Sequence, residues 1–131
     1  MIQRITLLVF AFLVCSCSKK NNIENQNFTL SAFTYTPYIT TDVVFQNKNL
    51  GVGNGALNDN VTLKSGDYKI QWSDAESGTK FTSLNKVIIP DTLQTQFIIF
   101  HIYPTGYVET VFSDDYPKES AKGLQFMGEK K

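Results

Sequence analysis

The chain has 131 residues, 12 basic and 12 acidic side chains, one histidine and two cysteines. That length fits one domain, and a net charge of zero argues against nucleic acid, whose binding rests on neutralising phosphates. Both cysteines, Cys15 and Cys17, stand near the start, so the body holds no thiol for a disulfide, a thiolate metal site or a cysteine nucleophile.

Arg4 is followed by a nearly all-apolar run from Ile5 to Val14, then by Cys15, Ser16, Cys17 and polar residues. A secretory apolar region is typically ~7–15 residues, whereas a spanning helix needs ~20. The run is therefore expected to be an export signal. Val14-Cys15-Ser16-Cys17 resembles the lipobox of bacterial lipoproteins, in which a small residue precedes a cysteine that receives a diacylglycerol. Ser16 fits the small position; Cys15 departs mildly from the usual middle residue. The resemblance implies a signal peptide over 1–16 and a lipid on Cys17. Each buried methylene of such a lipid contributes ~0.8 kcal/mol, so several acyl chains anchor stably.

Residues 17–26 are almost wholly polar and predict a flexible tether. Lys19 and Lys20 follow the lipid site directly. Some Gram-negative groups use an acidic run here to send lipoproteins to the cell exterior. Its absence favours an outer-membrane position facing the periplasm.

From Asn27 the pattern has period two. Phe28, Leu30, Ala32 and Thr34 fall on one face, and Thr29, Ser31, Phe33 and Tyr35 on the other, until Pro37. A strand is expected at Asp42 to Gln46, with Asn47-Lys48-Asn49 as a turn and Leu50-Gly51-Val52 as a return arm. Gly53-Asn54-Gly55 and Asn58-Asp59-Asn60 predict loop, and Val61-Thr62-Leu63 a strand. Tyr68 to Trp72 alternates as one strand, with Tyr68, Ile70 and Trp72 inward. Asp74 to Gly78 is a turn, and Lys80 to Leu84 and Lys86 to Ile89 form one or two strands, stopped by Pro90. Thr95 to Tyr103 is apolar on both faces, which places it centrally. Pro104-Thr105-Gly106 turns the chain into an antiparallel partner, Tyr107 to Phe112. Residues 116–131 are polar. A helix over Glu119 to Met127 is weakened by Gly123.

These elements predict an all-β domain over 27–115: a small antiparallel β-sandwich or open barrel of about seven strands. Val43-Val44-Phe45, Leu50-Gly51-Val52-Gly53 and Leu63-Lys64-Ser65-Gly66-Asp67-Tyr68-Lys69-Ile70 together resemble a PEGA-type envelope module. Asn54-Gly55 stands where that family usually has a threonine-proline pair. The resemblance implies an envelope β module and no activity. Asp91-Thr92-Leu93 resembles an O-glycosylation acceptor of exported Gram-negative proteins and marks Thr92. Two sequons, at Asn27 and Asn60, have no such context.

His101 is the only histidine and sits mid-strand, where a core role is expected. No G-x-S-x-G motif supplies a nucleophile. Asp114-Asp115 and Asn58-Asp59-Asn60 lack calcium-loop spacing and read as solvated turns. The chain is therefore expected to be no enzyme, with no metal and no cofactor. Tyr103 and Tyr107 flank a loop tip and are the best candidates for an exposed contact; Trp72 is a further aromatic candidate, although its strand face predicts core. The expected function is a membrane-anchored envelope lipoprotein acting as a non-catalytic protein-binding module. A glycan-binding module, or a periplasmic immunity or inhibitor protein, is the alternative.

Overall fold

The computed structural model describes residues 22–51 and 54–128. The expected signal peptide, Cys17, Lys19 and Lys20 lie outside the described residues, as do Val52 and Gly53 of the PEGA-like stretch. The described part is all-β with one short helix. No described helix is long and apolar enough to cross a membrane.

The first sheet has the order β10-β9-β1-β4, built from β1 (Phe28–Thr34), β4 (Asn58–Val61), β9 (Phe97–Ile102) and β10 (Val108–Ser113). The second has the order β3-β2-β6-β7, built from β2 (Thr40–Phe45), β3 (Lys48–Asn49), β6 (Gln71–Asp74) and β7 (Lys80–Thr82). A third pair joins β5 (Gly66–Tyr68) to β8 (Val87–Ile89). The sheets are open and do not close into a barrel. Among the described residues ten short strands thus replace the expected seven or so, and the expected antiparallel pairing is corrected at the centre: β1 runs parallel to β9, with Thr29 opposite Phe97 and Thr34 opposite Ile102.

The period-two reading of β1 describes what its two faces do. Phe28, Leu30 and Ala32 enter the main core, while Phe33 and Tyr35 join a smaller cluster on the opposite face. In the main core, Ile98, Phe100 and Ile102 of the first sheet meet Val43, Phe45 and Trp72 of the second. The Phe45 and Phe100 rings lie 4.9 Å apart. Fully burying such a side chain contributes roughly 1.5–3 kcal/mol. The described domain has no cysteine, so this packing carries the stability.

Three local expectations are corrected. The β2–β3 turn is Gln46-Asn47, since Phe45 pairs with Lys48. Both turn residues have left-handed backbone, φ 49° and 63°, the geometry that matches strand twist in a two-residue hairpin. Gln46 offsets its strain of roughly 1–2 kcal/mol with two bonds to the Lys64 backbone, at 2.9 and 3.0 Å. Asn58-Asp59-Asn60 is strand rather than loop, with a register shift opposite Phe28 and Leu30. Tyr68 to Trp72 is two strands in different sheets. Between them Ile70 donates its N–H to Ser83 Oγ (3.1 Å) and accepts the Ser83 N–H (2.9 Å).

Both ends of the domain extend beyond 27–115. Ile23 is buried in the main core, its N–H bonded to the Asp91 carbonyl at 3.1 Å, so residues 22–26 are folded body rather than tether. The polar tail carries a helix, α1 (Ala121–Gly128), seated on the outer face of β1 and β9. Ser120 caps it by accepting the Gly123 N–H at 2.8 Å.

Candidate functional site

The β9–β10 hairpin and the β7–β8 loop meet at one end of the domain. In the hairpin the Tyr103 N–H donates to the Tyr107 carbonyl (3.0 Å) and the Gly106 N–H to the Tyr103 carbonyl (2.9 Å). Gly106, at φ 92°, supplies the left-handed backbone that a side chain would resist. The Leu84 N–H donates to the Gly106 carbonyl at 3.0 Å. Asn85 then clamps Val108 from both sides: its Nδ2 donates to the Val108 carbonyl (2.7 Å) and its Oδ1 accepts the Val108 N–H (2.9 Å). Lys69 Nζ donates to the carbonyls of Ser83 and Leu84, each at 2.9 Å.

Beside the exposed Thr105 and Lys86, two large apolar side chains stand outside this frame. Leu84 is 69% exposed and Tyr107 45% exposed. One face of the Tyr107 ring lies against Tyr103, at 6.3 Å and 18°. The result is a rigid tip with an aliphatic and an aromatic side chain held ready. Ile39 is also exposed, but it belongs elsewhere, beside Met127 in an open depression of about 400 Å³.

Of the residues expected at the site, Tyr107 is exposed. Tyr103 is not: the expectation of an exposed Tyr103 is corrected, because α1 folds back over it. Phe126 packs on its ring at 5.7 Å, and Lys122 Nζ lies 5.1 Å above it. Its hydroxyl donates to Glu109 Oε1 (2.8 Å) and shares a bond with Ser120 Oγ (3.0 Å). Burial, reinforced by the Glu109 carboxylate, pushes that hydroxyl up to about 12. Trp72 is also buried; it donates Nε1–H to the Tyr38 hydroxyl at 3.0 Å and stacks on Phe81. It is core, and no contact surface. Thr92 is exposed in the turn after Pro90 and bridges to Asn22.

His101 is buried, with Nδ1 2.9 Å from the Tyr35 hydroxyl and the Phe33 ring stacked at 5.6 Å. Burial lowers its pKa from 6.5, against an opposing pull from Glu109. Tyr35 is shifted upward by burial, so it remains a hydroxyl donor. Among the described residues no three His, Cys, Asp or Glu side chains gather as a metal-binding group.

Sequence reasoning missed Leu84 and Asn85, which it assigned to a strand and its flank. The signal that marks them is an apolar residue set between Ser83 and Asn85, two residue types that bond backbone in turns.

No family model, curated protein or solved structure matches this chain.

Proposed function

We propose that this chain is a lipid-anchored envelope protein whose small β-sandwich acts as a non-catalytic protein-binding module, with Leu84 and Tyr107 as its contact tip. The observation that carries this reading is the mounting of the tip. Ordering a free side chain on binding costs about 0.5–1.5 kcal/mol. Here Asn85, Lys69 and the Tyr103 ring have already fixed the loop and one face of the aromatic. Tyrosine in such a setting is a common binding hot spot.

The lipobox-like stretch supports the address. Only five positions separate Cys17 from Asn22, the first described residue, so that segment spans at most about 18 Å. That reach favours a partner close to the bilayer, which we take to be another envelope protein, and the lack of an acidic run after Cys17 favours the outer membrane facing the periplasm. A toxin or hydrolase as partner would make the chain an immunity or inhibitor protein.

The test is a pull-down from detergent-solubilised envelope with the full lipidated chain. A reproducible partner is expected, its recovery falling about tenfold or more in Leu84→Ser and Tyr107→Ala. Ile39→Ser, remote from the tip, retains it. Equal recovery by the tip variants would sink the assignment, as would a hydrolytic activity abolished by one point change. Binding on a glycan array that disappears in Tyr107→Ala would move the tip to the glycan class. The intact mass of the bait checks the anchor, since an unlipidated Cys17 would overturn it.

A further inference from the structure

Residues 116–128 cross the outer face of β9 and β1 and hold it through one continuous hydrogen-bond chain. The Ser120 N–H donates to the Tyr35 hydroxyl oxygen at 2.8 Å. The Tyr35 hydroxyl also lies 2.9 Å from His101 Nδ1, and in the neutral tautomer protonated on Nε2 that nitrogen accepts the Tyr35 O–H. Ser120 Oγ accepts the Gly123 N–H and so donates its own hydrogen to Tyr103, whose hydroxyl donates to Glu109. One serine thus caps α1 and ties it to both strands. Beneath the segment, His101, Ile99 and Val111 line a cavity of about 230 Å³ with Asp115, Lys118 and Glu119.

We infer that residues 116–128 are a detachable strap whose grip on β1 and β9 is released when His101 takes up a proton. A proton on Nδ1 occupies the lone pair that receives the Tyr35 hydroxyl. The Tyr35 oxygen then faces two donors, the imidazolium and the Ser120 N–H, and its own hydrogen loses its acceptor. The charge also sits on a ring that is only 4% exposed, where burial disfavours it. Lifting the strap relieves both and uncovers Tyr35 and Tyr103.

The sign follows from linkage. Burial holds docked His101 below 6.5, so the docked strap binds fewer protons than the lifted one. The grip is full above about pH 6.5 and weakens as pH falls through the window between that value and the lower docked one. The other titratable or charged groups facing His101 or its partners are Tyr35 just past β1, Tyr103 just past β9, Glu109 on β10, Asp115 just before the crossing segment, Tyr116, Lys118 and Glu119 on it, and Lys122 on α1.

Hydrogen exchange of the full chain, corrected for intrinsic rates, tests this. Protection of the Gly123 and Leu124 amides is expected to fall about tenfold per pH unit below about 6.5, while Ile98 and Phe100 stay protected. His101→Gln keeps an acceptor for Tyr35 but does not titrate, so its strap shows no such slope; Glu109→Gln and Glu119→Gln keep the slope. A pH-independent strap in the wild type, the same slope in His101→Gln, or simultaneous loss of Ile98 protection would overturn the inference. Should His101→Gln fail to fold, the wild-type imidazole titration followed by NMR decides: its midpoint must coincide with the loss of Gly123 protection, and a midpoint elsewhere refutes the strap.

Discussion

Phe45→Ala is expected to lower the unfolding free energy by about 3–5 kcal/mol, the range for removing a buried aromatic ring. Phe45 is fully buried and joins all three sheets. It stands on β2 of the second sheet, its ring meets Phe100 of the first at 4.9 Å, and it meets Tyr68 of the β5–β8 pair edge-on at 5.7 Å. Deleting it removes the transfer energy of the ring and two aromatic contacts worth about 0.5–1.5 kcal/mol each. It also opens a void that three separate sheets must collapse to fill. A domain of this size has about 5–15 kcal/mol in all, so the loss is a large share. Trp72, the single tryptophan, is buried in the same core and reports unfolding by fluorescence in a urea titration. A loss below about 1.5 kcal/mol would mean that the sheets do not meet through this ring.

The second large effect is Gly123→Ala, where two forces oppose each other. Alanine in a helix is favoured over glycine by about 0.8–1.0 kcal/mol. The new methyl, however, would lie 2.3–2.5 Å from three carbons of the Tyr35 ring, far inside the ordinary contact of about 3.5–4.0 Å. That ring has nowhere to go. Its hydroxyl is bonded to His101 and Ser120, and its faces lie against His101 at 5.9 Å and Tyr103 at 5.5 Å. Overpacking of this kind costs about 1–3 kcal/mol, so sterics win and α1 is expected to leave the sheet. Urea unfolding and trypsin cleavage after Lys122 should both show it: the variant is less stable and is cut faster. A stabilised Gly123→Ala variant would show that α1 does not rest on Tyr35.

The glycine that weakens the helix in the sequence is thus the residue that lets it dock. Residue pattern alone weighs the entropy of Gly123 but cannot see the ring beneath it. The burial of Tyr103 was hidden for the same reason, since its cover is a polar tail about twenty residues further on. What was legible is what periodicity reports directly. The two faces of β1 and the doubly apolar run of β9 follow from side chains alternating across a strand. The break between β5 and β6 was not legible, because Tyr68, Ile70 and Trp72 keep their alternation while the chain changes sheets. Only the long-range bonds of Ile70 to Ser83 reveal the switch. Asn58-Asp59-Asn60 has loop composition but is held as a strand edge from outside, by Thr29 Oγ1 on Asp59 and by Asn58 Nδ2 on the Leu50 carbonyl. At the candidate site Tyr107 was legible as a loop-tip aromatic. Its rigid mount was not, because that mount depends on Asn85 reaching Val108 across 23 positions.

The parallel pairing of β1 with β9 also sets the order in which the domain can assemble. A growing chain offers β1 a partner early, when β4 emerges and covers one edge. The other edge waits until Phe97–Ile102 exists, after every described strand except β10. Until then Leu30 and Phe33 lack the strand that pairs beside them. Closing so long a loop places folding on the slow side, in the millisecond-to-second range typical of non-local β topologies. The first sheet therefore cannot be completed before β9 has emerged, and the strands of that sheet close around β1 last.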